Sequence, residues 1–142
     1  VTGYSILKEA TKDLPLKIVG HNPDLKTKVA PNFDALREEY RKCSVYFNPT
    51  KESPNPRGRI EAVMTGCPLV STEFVDADFI ENGVNGYKSN DPTKLREYLI
   101  DLLNDEEKQK VFSKRIREIA VEKFHIKRFL KEWKEVLEEV IN

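Results

Sequence analysis

Between Glu52 and Glu61, in the stretch KESPNPRGRIEAVMTGCP (residues 51–68), stand two prolines, two arginines and a glycine. Each of these residue types has a use at a nucleotide. A glutamate one turn into a helix, as Glu61 is, can accept two hydrogen bonds from a vicinal diol, which is what a ribose presents. Gly58 lets the backbone approach a ligand closely, and the free N–H groups that open a helix can receive a phosphate. Arg57 and Arg59 put positive charge where a diphosphate needs it. Pro54 and Pro56 stiffen the loop and lower the entropy lost when it orders around a ligand. The plain reading uses the same letters. Prolines are ordinary loop residues, exposed arginines are ordinarily solvated, and a first-turn glutamate stabilises the helix dipole by about 0.3–1 kcal/mol with no ligand at all. Spacing alone leaves both readings open.

Other chemistries find less support. Neither His21 nor His125 lies in a recognisable nucleophile motif. LKIVG is followed by HNPD rather than paired carboxylates, which disfavours a phosphoacceptor, and neither GxGxxG nor GxxxxGK[ST] occurs. Cys43 and Cys67 form no CxxC pair and no metal-ligand cluster with the histidines, so they read as buried thiols of a reducing cytoplasm. The 24 basic residues balance 24 acidic ones, so no net field draws the chain to nucleic acid or a membrane. No apolar run is long enough to span a bilayer, and the beginning lacks a signal-peptide layout. The expectation is a cytoplasmic protein, with peripheral membrane attachment left open for a longer form. A 34% charged composition with one glutamine, Gln109, hints at a thermophile.

These residues need a scaffold that presents loops beside helix starts. Short apolar runs alternate with helical patterns, as in an α/β fold with an open parallel sheet of about five strands. The strand candidates are LKIVG (16–20), TKVAP (27–31), SVYFNPT (44–50), PLVST (68–72) and NGYKS (85–89). Asn32 is placed to cap a helix with Phe33, Leu36 and Tyr40 on one face, and Gly66 with Pro68 ends the helix that contains Glu61. Asp91-Pro92 opens another helix, a second follows from about Asp105, and a last one carries an apolar stripe through Phe129, Trp133, Leu137 and Val140. That stripe reads as core, with docking on a partner domain as the alternative. One domain spans 1–142, a length that buries about 68–70% of its unfolded surface. Residues 4–13 look like a crossover helix with no strand before it, so the chain reads as part of something longer.

The ordered series LKIVG, FDALREEYRKCSVYFNPT, IEAVMTGCPLVST and FIENGVNGYKSND, followed by the helical tail, resembles the C-terminal domain of GT-B retaining glycosyltransferases of the glycogen-synthase and sucrose-synthase-like superfamily. The resemblance implies a Rossmann-like sheet whose carboxyl edge holds a nucleotide-diphosphate sugar, with the first strand and the N-terminal acceptor domain supplied by the rest of the protein. It implies hexosyl transfer with retention and needs no metal or other cofactor. Glu61 matches the second glutamate of the family's E-x7-E motif, the one that grips the ribose. The first falls on Ser53 by count. A one-residue bulge would instead bring Glu52 to the donor sugar, and Glu52 is the expected catalytic residue. Asn55, Pro56, Arg57 and Gly58 would line the sugar and phosphates, and the nucleobase would lie against Ala30, Pro31 and Asn32. Thr2 stands where the family has a lysine, which leaves the isolated chain a weak donor binder without transfer activity. The rivals are a GT-B sugar epimerase and a non-catalytic nucleotide-sugar binding or interaction module.

Overall fold

Three short strands, β1 (Tyr46–Asn48), β2 (Leu69–Ser71) and β3 (Tyr87–Lys88), form a parallel sheet in the order β1-β2-β3. Register is set by Phe47 opposite Val70 and by Val70 opposite Tyr87. Six helices accompany them: α1 (Tyr4–Ala10), α2 (Phe33–Lys42), α3 (Arg57–Met64), α4 (Pro92–Asn104), α5 (Glu106–Phe124) and α6 (Ile126–Ile141). The computed structural model describes residues 3–20, 25–53, 56–74 and 76–141.

The central strand explains the two-layered core. Successive side chains of a strand point to opposite faces, so Val70 joins Ile6, Leu95, Leu99, Leu102 and Phe112 on the α1/α4 side, while Leu69 joins Val63, Ile80, Ile116 and Ala120 on the α3/α5 side. Both faces of β2 are buried, as expected of a parallel sheet covered by helices. Helix starts follow the sequence signals. The Asn32 side chain accepts from the Ala35 amide at 2.8 Å, and that of Asp91 from the Thr93 amide at 2.9 Å, with Pro92 as the first helical residue. Gly66, at φ +82°, closes the end of α3 in a conformation that glycine reaches without strain.

Three expectations are corrected. Among the described residues the sheet has three strands rather than about five: residues 16–20 and 27–31 carry no named strand. They are joined to each other instead, by the Gly20 amide on the Lys28 carbonyl at 3.1 Å and the Thr27 hydroxyl on the Gly20 carbonyl. The stripe of α6 is not core, since none of its residues is buried and Trp133 is 51% exposed. The chain turns at His125, whose Nδ1 accepts from the Lys127 amide, and α6 then packs mainly against α5. Finally, Cys43 and Cys67 are not separate thiols but a disulfide with Cα atoms 6.5 Å apart, because the end of α2 and the approach to β2 converge.

Candidate functional site

Because all three strands run the same way, the loops after them gather at one edge of the sheet, where ligands of open α/β folds bind. Side chains lace these loops together. Asn48 Oδ1, at the end of β1, accepts from the Thr50 hydroxyl at 2.6 Å, and the Thr72 hydroxyl, just past β2, donates to the Thr50 carbonyl. The Glu73 amide donates to Asn90 Oδ1 in the loop after β3 at 2.8 Å. Lys51 holds its ammonium 5.9 Å from the centre of the Phe74 ring. Asn48 is 2% exposed, yet its Nδ2 has no partner among the described residues. A buried amide donor left unpaired costs on the order of 1–3 kcal/mol, which a ligand oxygen would recover.

Helix α3 begins directly after this edge. Pro56 is its N-cap and offers no side-chain acceptor, so the Arg57 and Gly58 amides receive no capping bond. Arg57 is exposed and makes no side-chain hydrogen bond or ion pair among the described residues. One turn on, Glu61 is half-buried, and its Oε2 accepts from the Tyr40 hydroxyl at 3.2 Å. Oε1 has no protein hydrogen bond among the described residues. Tyr40 and Tyr46 meet edge-on with ring centres 5.7 Å apart. Burial, first, and the neighbouring Glu61 charge push both phenols upward in pKa, so both remain protonated at neutral pH; for Tyr40 the Tyr46 ring group adds to the shift.

The expected site residues thus separate into groups. Glu61, Gly58, Arg57 and Pro56 share the first turns of α3. Glu52 is exposed and Ser53 half-buried on the loop leading there. Pro54 and Asn55 lie outside the described residues, as do Thr2 and His21, so the expected bulge falls partly beyond description. Ala30 is half-buried and Pro31 exposed just before the amino end of α2, whereas it is the other end of that helix that meets Glu61.

One reading changes with the geometry. Arg59 is turned inward rather than toward a diphosphate: it is 0% exposed, one terminal nitrogen donates to the Asp76 carbonyl, and its guanidinium lies 5.3 Å from the Phe79 ring centre. Its helical position places it on the same buried side as Ala62 and Val63. A side-chain carbon at Gly58 would stand 2.8 Å from the Tyr46 hydroxyl and 3.4 Å from that of Tyr40. The two tyrosines and Asn48 were not legible as site residues. The one available signal is a strand alternation that puts Tyr46 and Asn48 on the same face.

A family profile described as Glycosyl transferases group 1 matches residues 4–105. Among solved structures, the chain is similar to Anabaena Alr3699/HepE in complex with UDP-glucose, with a TM-score of 0.78 at 17% identity over 97% of this chain and 45% of that one. The same protein in complex with UDP aligns at a TM-score of 0.69 and 20% identity, over 79% of this chain and 31% of the other. TarM aligns at 0.70 and 19% identity, over 92% and 30%. The chain therefore spans less than half the length of each, and at these identities the likeness is one of fold. No curated protein matches the chain.

Proposed function

The chain belongs to the glycosyl transferases group 1 family, and from that premise we propose that it is the domain that binds the nucleotide-diphosphate sugar of a retaining hexosyltransferase. The observation that carries the reading is the half-buried Glu61 carboxylate one turn into α3. One oxygen is held by Tyr40 and the other has no hydrogen bond among the described residues, beside helix-start amides without a cap. A carboxylate so held can receive the two hydroxyls of a ribose, and the amides of Arg57 and Gly58 can receive phosphate oxygens. The solved relatives in complex with UDP and UDP-glucose favour a uridine nucleotide as the first ligand to try.

In the proposed reaction the bond between the anomeric carbon and the diphosphate oxygen breaks while an acceptor hydroxyl bonds to that carbon on the same face. The acceptor's proton passes to the departing diphosphate. Glu52 holds hydroxyls of the donor sugar, and Arg57 offsets charge growing on the leaving group. The acceptor is held by a second domain, and the residues of this chain bind and orient the donor.

Titration with UDP and UDP-glucose, followed by amide shifts, tests the assignment. Changes centred on residues 56–61 support it, with tighter binding by wild type than by Glu61→Gln. An equal response in Glu61→Gln, or no change at millimolar ligand, overturns it in favour of an interaction module.

A further inference from the structure

Helix α2 brings Tyr40 to Glu61, yet little holds α2 itself. None of its residues is buried, whereas α1, α3, α4 and α5 each bury at least two. On its inner side Leu36, Glu39 and Tyr40 line a cavity of about 450 Å³, which β1 and residues 16–19 also bound. A helix is kept on a body chiefly by the apolar face it buries, so α2 has to be fastened by other means. Lys17 pairs with Glu39 at the surface, where an ion pair contributes little. Tyr40 meets Tyr46 edge-on and bonds to Glu61. The carboxyl end of α2 is tied covalently, by the Cys43–Cys67 disulfide.

The two halves of that bridge are anchored unequally. Cys67 is 2% exposed, its amide donates to the Ala62 carbonyl at 3.0 Å, and the carbonyl of the adjoining Pro68 accepts from the Tyr46 amide at 2.7 Å. This half is fixed to the end of α3 and to the sheet. Cys43 is half-buried, directly follows α2 and lines the cavity, so it is the half that an incoming thiolate can reach. Opening the bridge strands no polar group, because the Cys43 carbonyl lies 3.6 Å from Cys67 Sγ and can accept from a thiol formed there. What opening removes is the tether of α2. Between the two cysteines the chain contains β1 and α3, with Glu52 and Glu61, so the bridge closes a loop around the candidate site.

We infer that the Cys43–Cys67 bridge is a redox latch on the donor site: closed, it holds the last turn of α2 against α3 so that Tyr40 orients Glu61, and opened by a dithiol, it frees α2 and weakens donor binding. The effect on the donor rests on the function proposed above. In the exchange a thiolate of the dithiol bonds to Cys43 Sγ, and the Sγ–Sγ bond breaks with its electron pair leaving on Cys67 Sγ, which takes up a proton. The second thiolate of the dithiol then bonds to the first sulfur of the same molecule and releases Cys43, which is protonated in turn. The dithiol ends as a disulfide, oxidised by two electrons, and the bridge as two thiols.

The test compares UDP binding by the oxidised chain and by the chain reduced with dithiothreitol, and follows amide hydrogen exchange of α2 and of Val70 in both. Reduction is expected to weaken UDP binding severalfold and to speed α2 exchange by about tenfold, while Val70 in the sheet stays protected. Tyr40→Phe should bind UDP as weakly as the reduced wild type and lose no more on reduction, and Cys43→Ser should behave as the reduced chain whether or not dithiothreitol is present. Equal UDP affinity in the two forms of the wild type overturns the latch and leaves the donor reading standing, and unchanged α2 exchange overturns it too. If neither form binds UDP, the donor reading fails and α2 exchange alone decides the latch. A bridge that dithiothreitol cannot open, or opens only with loss of Val70 protection, is a structural cross-link, and that result also overturns the inference.

Discussion

The Tyr40 hydroxyl donates to Glu61 Oε2 across 3.2 Å, joining the last turn of α2 to the second turn of α3. A hydrogen bond to a carboxylate in a half-buried setting fixes the acid's orientation before any ligand arrives. Tyr40→Phe is expected to lower stability by about 1 kcal/mol and to weaken UDP binding severalfold while leaving the fold intact. Glu61→Gln is expected to weaken it more, by about tenfold, corresponding to about 1.4 kcal/mol. Calorimetric titration of both variants checks the order.

Gly58 and Tyr46 form a second testable pair. A methyl at position 58 comes within 2.8 Å of the Tyr46 hydroxyl, and overpacking of this kind costs about 1–3 kcal/mol. The contact is with the end of one side chain, so removing that oxygen removes the conflict. Gly58→Ala should be destabilising in the wild-type background and close to neutral with Tyr46→Phe. Denaturant unfolding of the four members of the cycle measures the coupling.

Alkaline stability follows from Tyr87. Its hydroxyl donates to Asp101 Oδ2 at 2.6 Å, and burial, then this bond and the Asp101 charge, raise its pKa to about 12. A group whose folded pKa lies above its unfolded value of 10.0 contributes stability that is complete below pH 10 and is lost as the pH climbs toward 12. Asp101 has the opposite sense. Burial opposes its ionisation, but the bonds from Lys108 and Tyr87 prevail and lower its pKa, so its contribution is present above the unfolded value and lost as the pH falls through the folded one. Tyr87→Phe should flatten the loss between pH 10 and 12, as followed by thermal melts across that range.

Burial separates two large apolar residues that look alike in the sequence. Leu102 is 0% exposed between α4 and its neighbours, whereas Trp133 is half-exposed on α6. Leu102→Ala is expected to cost about 2–5 kcal/mol, and Trp133→Gln less than about 0.5 kcal/mol. Urea midpoints of the two variants provide the comparison.

What could be read from the letters was whatever is local. The runs 44–50, 68–72 and 85–89 contain β1, β2 and β3, and Asn32 and Asp91 cap the helices they were expected to cap. Failures came where a neighbour decides the outcome. LKIVG has strand composition, but a strand exists only through its partner, and the β1 edge is separated from it by a cavity. The stripe through Trp133 has the period of a packed helix, but periodicity does not supply an opposing surface. Arg59 looked like a ligand residue because charge suggests solvent, while the helical turn carried it beside Val63 into the interior. The helix start that places Glu61 one turn into α3 was legible from the letters around it. The tyrosines around them were not, because Tyr40 and Glu61 meet only after α2 and α3 pack together.

Helix α5 reaches both sides of the sheet layer, giving Phe112 to one cluster and Ile116 with Ala120 to the other. A single rigid rod spliced into two interiors forbids either from melting alone. Loosening one withdraws a wall from its counterpart, so the body from α1 through α5 should come apart in one all-or-none step.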